Sequence, residues 1–183
     1  MRLIGAIVLF TLLSGCAVSA PSGSPGYADF KKPEQRGLRR DTSISLGPTI
    51  LRLVAVHANE GPETAALLRA LDGVQVKVYE IGESADLKAV SQELELARVQ
   101  LLGDDWQQIA RVLDEGSTVN LLLKTQGDSI VGMTALVLKP DQLVFVNLMG
   151  DLSAEQLAEI SMRMPNAADL DLSELPLPGL ALN

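Results

Sequence analysis

The sequence has little of what many binding and catalytic sites are built from. Its 183 residues include one cysteine and one histidine, and only 3% are aromatic. With one cysteine the chain cannot form an internal disulfide, so a hydrophobic core must hold the fold. The few aromatic rings cannot form a base-stacking platform, and a net charge of −8 repels nucleic-acid phosphate. These scarcities exclude nucleic-acid binding and a disulfide-stabilised scaffold.

The single histidine, His57, is a candidate general base or metal ligand, with Asn59 and Glu60 close by. No second histidine, nucleophile motif, zinc spacing or glycine-rich phosphate loop accompanies it. Met162 and Met164 are two residues apart and do not share a helix face, so they do not predict a soft-metal site. We therefore predict a non-enzymatic protein with no metal and no cofactor, and a hydrolase using His57 is the least favoured hypothesis.

Two pairs of carboxylates, Asp104-Asp105 and Asp114-Glu115, flank one predicted strand. Calcium loops need a denser alternation of oxygen ligands with glycine. We interpret these residues as turn and cap residues rather than as a cation site.

The N-terminus has the order of a secretory signal. Arg2 is followed by an apolar run from Leu3 to Leu13 that is shorter than the roughly 20 residues of a membrane-spanning helix. The next residues, Leu13, Ser14, Gly15 and Cys16, resemble the lipobox of bacterial lipoproteins. The resemblance implies a signal peptide over residues 1–15 and acyl chains such as palmitate on Cys16. By the same family analogy, Ala17 after the cysteine, rather than Asp, implies the outer membrane of a Gram-negative cell, with the protein facing the periplasm.

Two other interpretations of the N-terminus stay open. Val18-Ser19-Ala20 could serve an ordinary signal peptidase and give a soluble secreted protein. A cytosolic protein with an apolar start is the third interpretation, and it leaves the position of the only cysteine unexplained.

Residues 16–40 are predicted to be a flexible basic tether behind the lipidated cysteine. Pro21 to Gly26 is rich in residues that break regular structure, and Lys31, Lys32, Arg36, Arg39 and Arg40 follow. A flexible linker of this length spans roughly 25–30 Å. Residues 166–183, which show no period, are predicted to be a loose tail.

Residues 41–165 are predicted to form one α+β domain in the order β-α-α-β-α-β-β-β-β-α. An antiparallel sheet is predicted from the alternating apolar residues and from the turn sequences Gln126-Gly127-Asp128 and Lys139-Pro140-Asp141. Helices with one apolar face pack on that sheet, and Ser84 is the predicted N-cap of the longest. Residues 105–115 fit a helix and a strand equally well. The pattern Ser153 to Gln156 predicts a capping box for a last helix.

The stretch from Trp106 through the predicted meander to Leu148-Met149-Gly150-Asp151-Leu152, with a helix following, resembles the bacterial family DUF4252. The similarity extends from about Ser43 to Pro165. It implies a strand at Trp106 and a secreted or lipoprotein-anchored domain without an assigned activity. Some relatives are encoded near extracytoplasmic sigma factors, which suggests envelope stress signalling.

Both faces of the predicted sheet are apolar, as the run Val119, Leu121 and Leu123 opposite Leu122 illustrates. Either helices cover both faces, or one face or sheet edge binds a partner. We therefore predict a membrane-anchored envelope lipoprotein that acts as a protein-interaction module. Its partner would be an unidentified envelope protein or a second copy. The alternative is a carrier for a small apolar ligand or lipid in the periplasm.

Overall fold

Alternating apolar residues produce a six-stranded antiparallel sheet. The computed structural model describes residues 18–31, 37–57, 61–114, 116–153 and 156. In them the elements are β1 (Leu38–Leu46), α1 (Pro48–His57), α2 (Pro62–Ala70), β2 (Leu71–Ile81), α3 (Leu87–Gly103), β3 (Trp106–Asp114), β4 (Ser117–Gln126), β5 (Ser129–Leu138) and β6 (Gln142–Leu152). The sheet order is β1-β2-β6-β5-β4-β3. The predicted α+β class is confirmed.

The predicted capping box after β6 is present. The Ser153 amide donates to Gln156 Oε1, and the Gln156 amide donates to Ser153 Oγ. The rest of the predicted last helix and the predicted C-terminal tail lie outside the described residues.

The long helix α3 begins at a different cap from the predicted one. The Asp86 carboxylate, not Ser84, accepts hydrogen bonds from the amides of Lys88 and Ala89, at 3.0 and 3.3 Å. Of the apolar seam that the spacing of Leu87, Val90, Leu94, Ala97 and Leu101 predicts, Val90, Leu94 and Leu101 are buried. Leu87, at the start of the helix, is 47% exposed.

A β-bulge in β3 explains why residues 105–115 fit two patterns. The pairing of β3 with β4 shifts between Gln108 and Ala110, which leaves Ile109 as the extra residue. The extra residue interrupts the two-residue alternation of apolar side chains along β3. The resulting spacing of apolar residues is also compatible with one face of a helix, which is why the sequence alone did not decide between them. The strand implied by the family resemblance is present.

Different parts of the chain cover the two faces of the sheet. One face, here called the strap face, packs against α3 and residues 18–31; its central side chains are Tyr79, Leu122, Leu136 and Phe145. The opposite face packs against the α1–α2 hairpin at one end, through Leu51, Leu67 and Leu68. The helical spacing of this segment predicts that Ala66, Leu67 and Leu71 face inward. In the structure Ala65 and Leu71 are buried and Leu67 is half-buried, whereas Ala66 is exposed.

The prediction of a flexible tether is wrong for the described part of that segment. Residues 18–31, the N-terminal strap, lie across the sheet with Ala28 and Phe30 buried. The Phe30 ring stacks on Phe145 at a centroid distance of 4.7 Å. Residues 38–40, predicted as the end of the tether, belong to β1. The strap is therefore part of the fold.

Buried Asn147 fixes the middle of the strap. Its Oδ1 accepts from the Ala28 amide at 3.0 Å, and its Nδ2 donates to the Gly26 carbonyl at 3.0 Å and to the Met133 carbonyl at 3.2 Å. The amide side chain thus replaces the backbone pairing that the strap cannot make with a sheet face.

The start of the strap is tied to the end of β1. The Gly47 amide donates to the Val18 carbonyl at 2.7 Å, and the Ala20 amide donates to Ser45 Oγ at 3.1 Å. Since α1 begins at Pro48, the strap starts beside the first turn of α1.

Candidate interaction surface

The predicted lipidation site falls outside the part of the chain that the structure describes. Leu13, Ser14, Gly15 and Cys16 belong to that undescribed part, as do Met162 and Met164. Among the described helices, none has the length and hydropathy to cross a bilayer. The lipid anchor remains a prediction.

Within the described residues, the hydrogen-bond contact of His57 is local. It lies exposed at the end of α1, where its Nδ1 is 3.0 Å from the Leu53 carbonyl oxygen. Across the described ranges, no three His, Cys, Asp or Glu side chains are grouped to hold a metal ion.

The two edges of the sheet differ in chemistry. At the β1 edge the exposed side chains are polar or charged, and Arg39 forms an ion pair with Glu80 on β2. Charged side chains of this kind protect an edge strand from pairing with another chain.

The opposite edge exposes apolar side chains beside the polar Gln107 and Arg111. Strand β3 pairs with β4 on one side, and Ile109, Val112 and Leu113 on it are 49%, 54% and 67% exposed. We call these three side chains, with the outward backbone of β3, the open edge. Outward amides and carbonyls beside apolar side chains can add a strand from a partner protein.

A charged cluster holds β3 against α3. Arg98 on α3 donates from Nε to Glu95 at 2.9 Å and from Nη1 to Gln108 on β3 at 2.7 Å, and Arg111 lies 3.6 Å from Glu95. The hydrogen bond from Arg98 lowers the pKa of the Glu95 carboxyl, and the charges of Arg98 and Arg111 act in the same direction. The cluster therefore links β3 to α3 through side chains.

We expect Glu95→Gln to lower the free energy of unfolding at pH 7, because it removes the ion pair with Arg98. The loss should be only about 0.5 kcal/mol, because the carboxylate is partly exposed. A lowered pKa in the folded state gives stability that is present above the unfolded pKa and is lost as pH falls through the folded value. Urea unfolding of both proteins at pH 7 and in acid tests this. A difference that persists unchanged in strong acid would contradict it.

Acidic residues stand at both ends of the open edge. Asp104 and Asp105 precede β3, Asp114 is its last residue, and all three are exposed. Antiparallel pairing with a second copy would place the Asp104-Asp105 end beside Asp114 of the other chain, and like charges across strands are destabilising. The charge pattern favours a partner strand with basic residues at its ends.

The sequence predicts an apolar face or edge but does not locate it at β3. Strand order is set by tertiary pairing, so the sequence did not show that β3 is an edge. The available signal was the group Ile109, Val112 and Leu113 between two acidic turns.

The family comparison agrees with the predicted resemblance. The family described as "Domain of unknown function (DUF4252)" matches residues 38–160. The match starts at β1, after the strap. A comparison with curated proteins found no match.

Proposed function

This chain belongs to the DUF4252 family, and we propose that it is a lipid-anchored envelope protein that acts without catalysis by binding a partner strand. The open edge is the observation that carries the proposal. The predicted lipobox at Leu13 to Cys16 supports the anchor, with the domain in the periplasm.

The partner that fits is an extended segment of another envelope protein. Main-chain hydrogen bonds to β3 would supply affinity, and apolar side chains at alternate positions would lie beside Val112, on the sheet face opposite to Leu113. Lys or Arg at the two ends of the segment would complement Asp104, Asp105 and Asp114.

A carrier for apolar ligands has less support. Such a protein needs a cavity between helix and sheet. Between α3 and the sheet, Val90, Leu94, Leu136 and Phe145 are fully or almost fully buried in one cluster. These side chains occupy the space that a ligand would need.

Selection of random short peptides on the purified domain tests the proposal. We expect enrichment of peptides with alternating apolar residues and basic ends. Val112→Asp should weaken their binding by about tenfold or more, because a buried unpaired charge is costly at such an interface. Leu96→Asp, at a residue of α3 that is 69% exposed, is the matched control and should bind normally.

Two outcomes would contradict the proposal. One is enrichment of peptides without the alternating pattern. The other is binding that survives Val112→Asp and is lost in Leu96→Asp. Pairing of the protein with itself, measured by ultracentrifugation and abolished by Val112→Asp, would show that the edge binds a second copy instead.

A further inference from the structure

The first described residue of the strap, Val18, lies beside the start of helix α1 at one corner of the domain. The Val18 carbonyl is bonded to the Gly47 amide, directly before α1. Cys16 is two residues before Val18, and an extended chain spans at most ~3.6 Å per residue. The acylated cysteine would therefore lie within about 7 Å of Val18.

The outward side of α1 is apolar at this corner. Leu53 and Val56 are 57% and 71% exposed, and Val18 is also exposed. At 1.5 Å rise per residue, Leu53 and Val56 lie roughly 8 and 12 Å along the helix from Pro48. Helix α1 carries Arg52 on its exposed surface and contains no acidic residue. This composition fits a lipid headgroup region better than it fits water.

We propose that the exposed side of α1, with Leu53 and Val56 at its centre, lies on the membrane surface next to the acylated Cys16. This inference rests on the proposed lipid anchor. The observation that supports this orientation is the structured strap. A long flexible tether would let the domain take any orientation relative to the membrane. A strap that is bonded to the domain from Val18 to Phe30 would instead keep α1 close to the bilayer.

The orientation places the open edge away from the membrane. Strands β1 and β3 are the two edges of the sheet, about 24 Å apart at the usual strand spacing. Because the anchor is tied to β1 and α1, the strand β3 would face the periplasm, where a partner can reach it.

Site-specific fluorescence on the full acylated protein tests the inference. Cys16 is the only cysteine, so after acylation an introduced cysteine is the only reactive thiol. The variants Leu53→Cys and Leu96→Cys are labelled with an NBD fluorophore and placed in phosphatidylethanolamine–phosphatidylglycerol vesicles containing a nitroxide lipid. Both positions are exposed, so folding is not at risk.

We expect nitroxide quenching at position 53 to exceed that at position 96 by about twofold or more, because an interfacial helix lies within the headgroup region. Equal quenching at the two positions would overturn the inference, as would a blue-shifted probe at position 53 without quenching, which indicates a protein contact. Intact mass measures acylation separately. If the acyl groups are absent, the proposed anchor fails; if they are present with equal quenching, only this inference fails.

Discussion

Replacing Asn147 with alanine is expected to lower the free energy of unfolding by about 3–5 kcal/mol, because truncation removes four hydrogen bonds, three of them buried under the strap face's cover. As long as the strap stays on the sheet, the Ala28 amide and the Gly26 carbonyl would be buried without their side-chain partner. The strap should open before the sheet unfolds, so trypsin should cleave at Lys31 faster than in the unaltered protein. Urea unfolding and timed proteolysis measure the two effects.

Asn120→Ala is the matched control for this prediction. Asn120 is nearly as buried as Asn147, and its Oδ1 accepts no hydrogen bond from the residues that the structure describes. The same truncation should therefore cost less than half as much and leave cleavage at Lys31 unchanged. Equal losses in the two variants would show that Asn147 is not what holds the strap.

Gly26→Ala is expected to lower the free energy of unfolding by about 3 kcal/mol, because overpacking against backbone cannot be relieved by a rotamer change. A Cβ at this position would overlap the Val131 carbonyl oxygen and lie 2.8 Å from the Gly132 Cα. Gly23→Ala in the same strap is the control: an added Cβ there meets no atom within 4 Å. That variant should unfold within about 0.5 kcal/mol of the unaltered protein.

The double variant Gly26→Ala/Asn147→Ala separates a strap effect from two local effects. Both substitutions detach the same segment, so the combined loss should be clearly smaller than the sum of the two single losses. Unfolding curves of the four proteins give the interaction energy. Strict additivity would mean that the two residues act independently.

Much of the sheet could be predicted because its signals are local. Alternation located β4, β5 and β6, and the turn sequences around Gly127 and Pro140 separated them. The capping box at Ser153 was equally local, since its two hydrogen bonds join residues three apart.

The strap could not be predicted because its partners are distant in sequence. The residues around Ala28 give no local signal for its hydrogen bond to Asn147, which is 119 residues away. A run of Pro, Ser and Gly normally indicates a flexible linker. A retrospective signal exists in β2, where Gln75 and Lys77 alternate as if facing water. Gln75 is buried, and Lys77 Nζ donates to the Phe30 carbonyl at 2.9 Å under the strap.

The candidate surface was out of reach for a related reason. An edge strand and a central strand can share a composition, and the bulge at Ile109 blurred even the strand assignment. Once the order of strands is known, exposed Ile109, Val112 and Leu113 distinguish the β3 edge from the polar β1 edge.

Amide hydrogen exchange along β3, with and without a selected basic-ended peptide, tests most directly whether the open edge binds a partner strand. We predict slower exchange for the β3 amides that point away from β4, with little change in β1. Protection confined to β1 or to α3, or no change in β3 at saturating peptide, would contradict the proposed function.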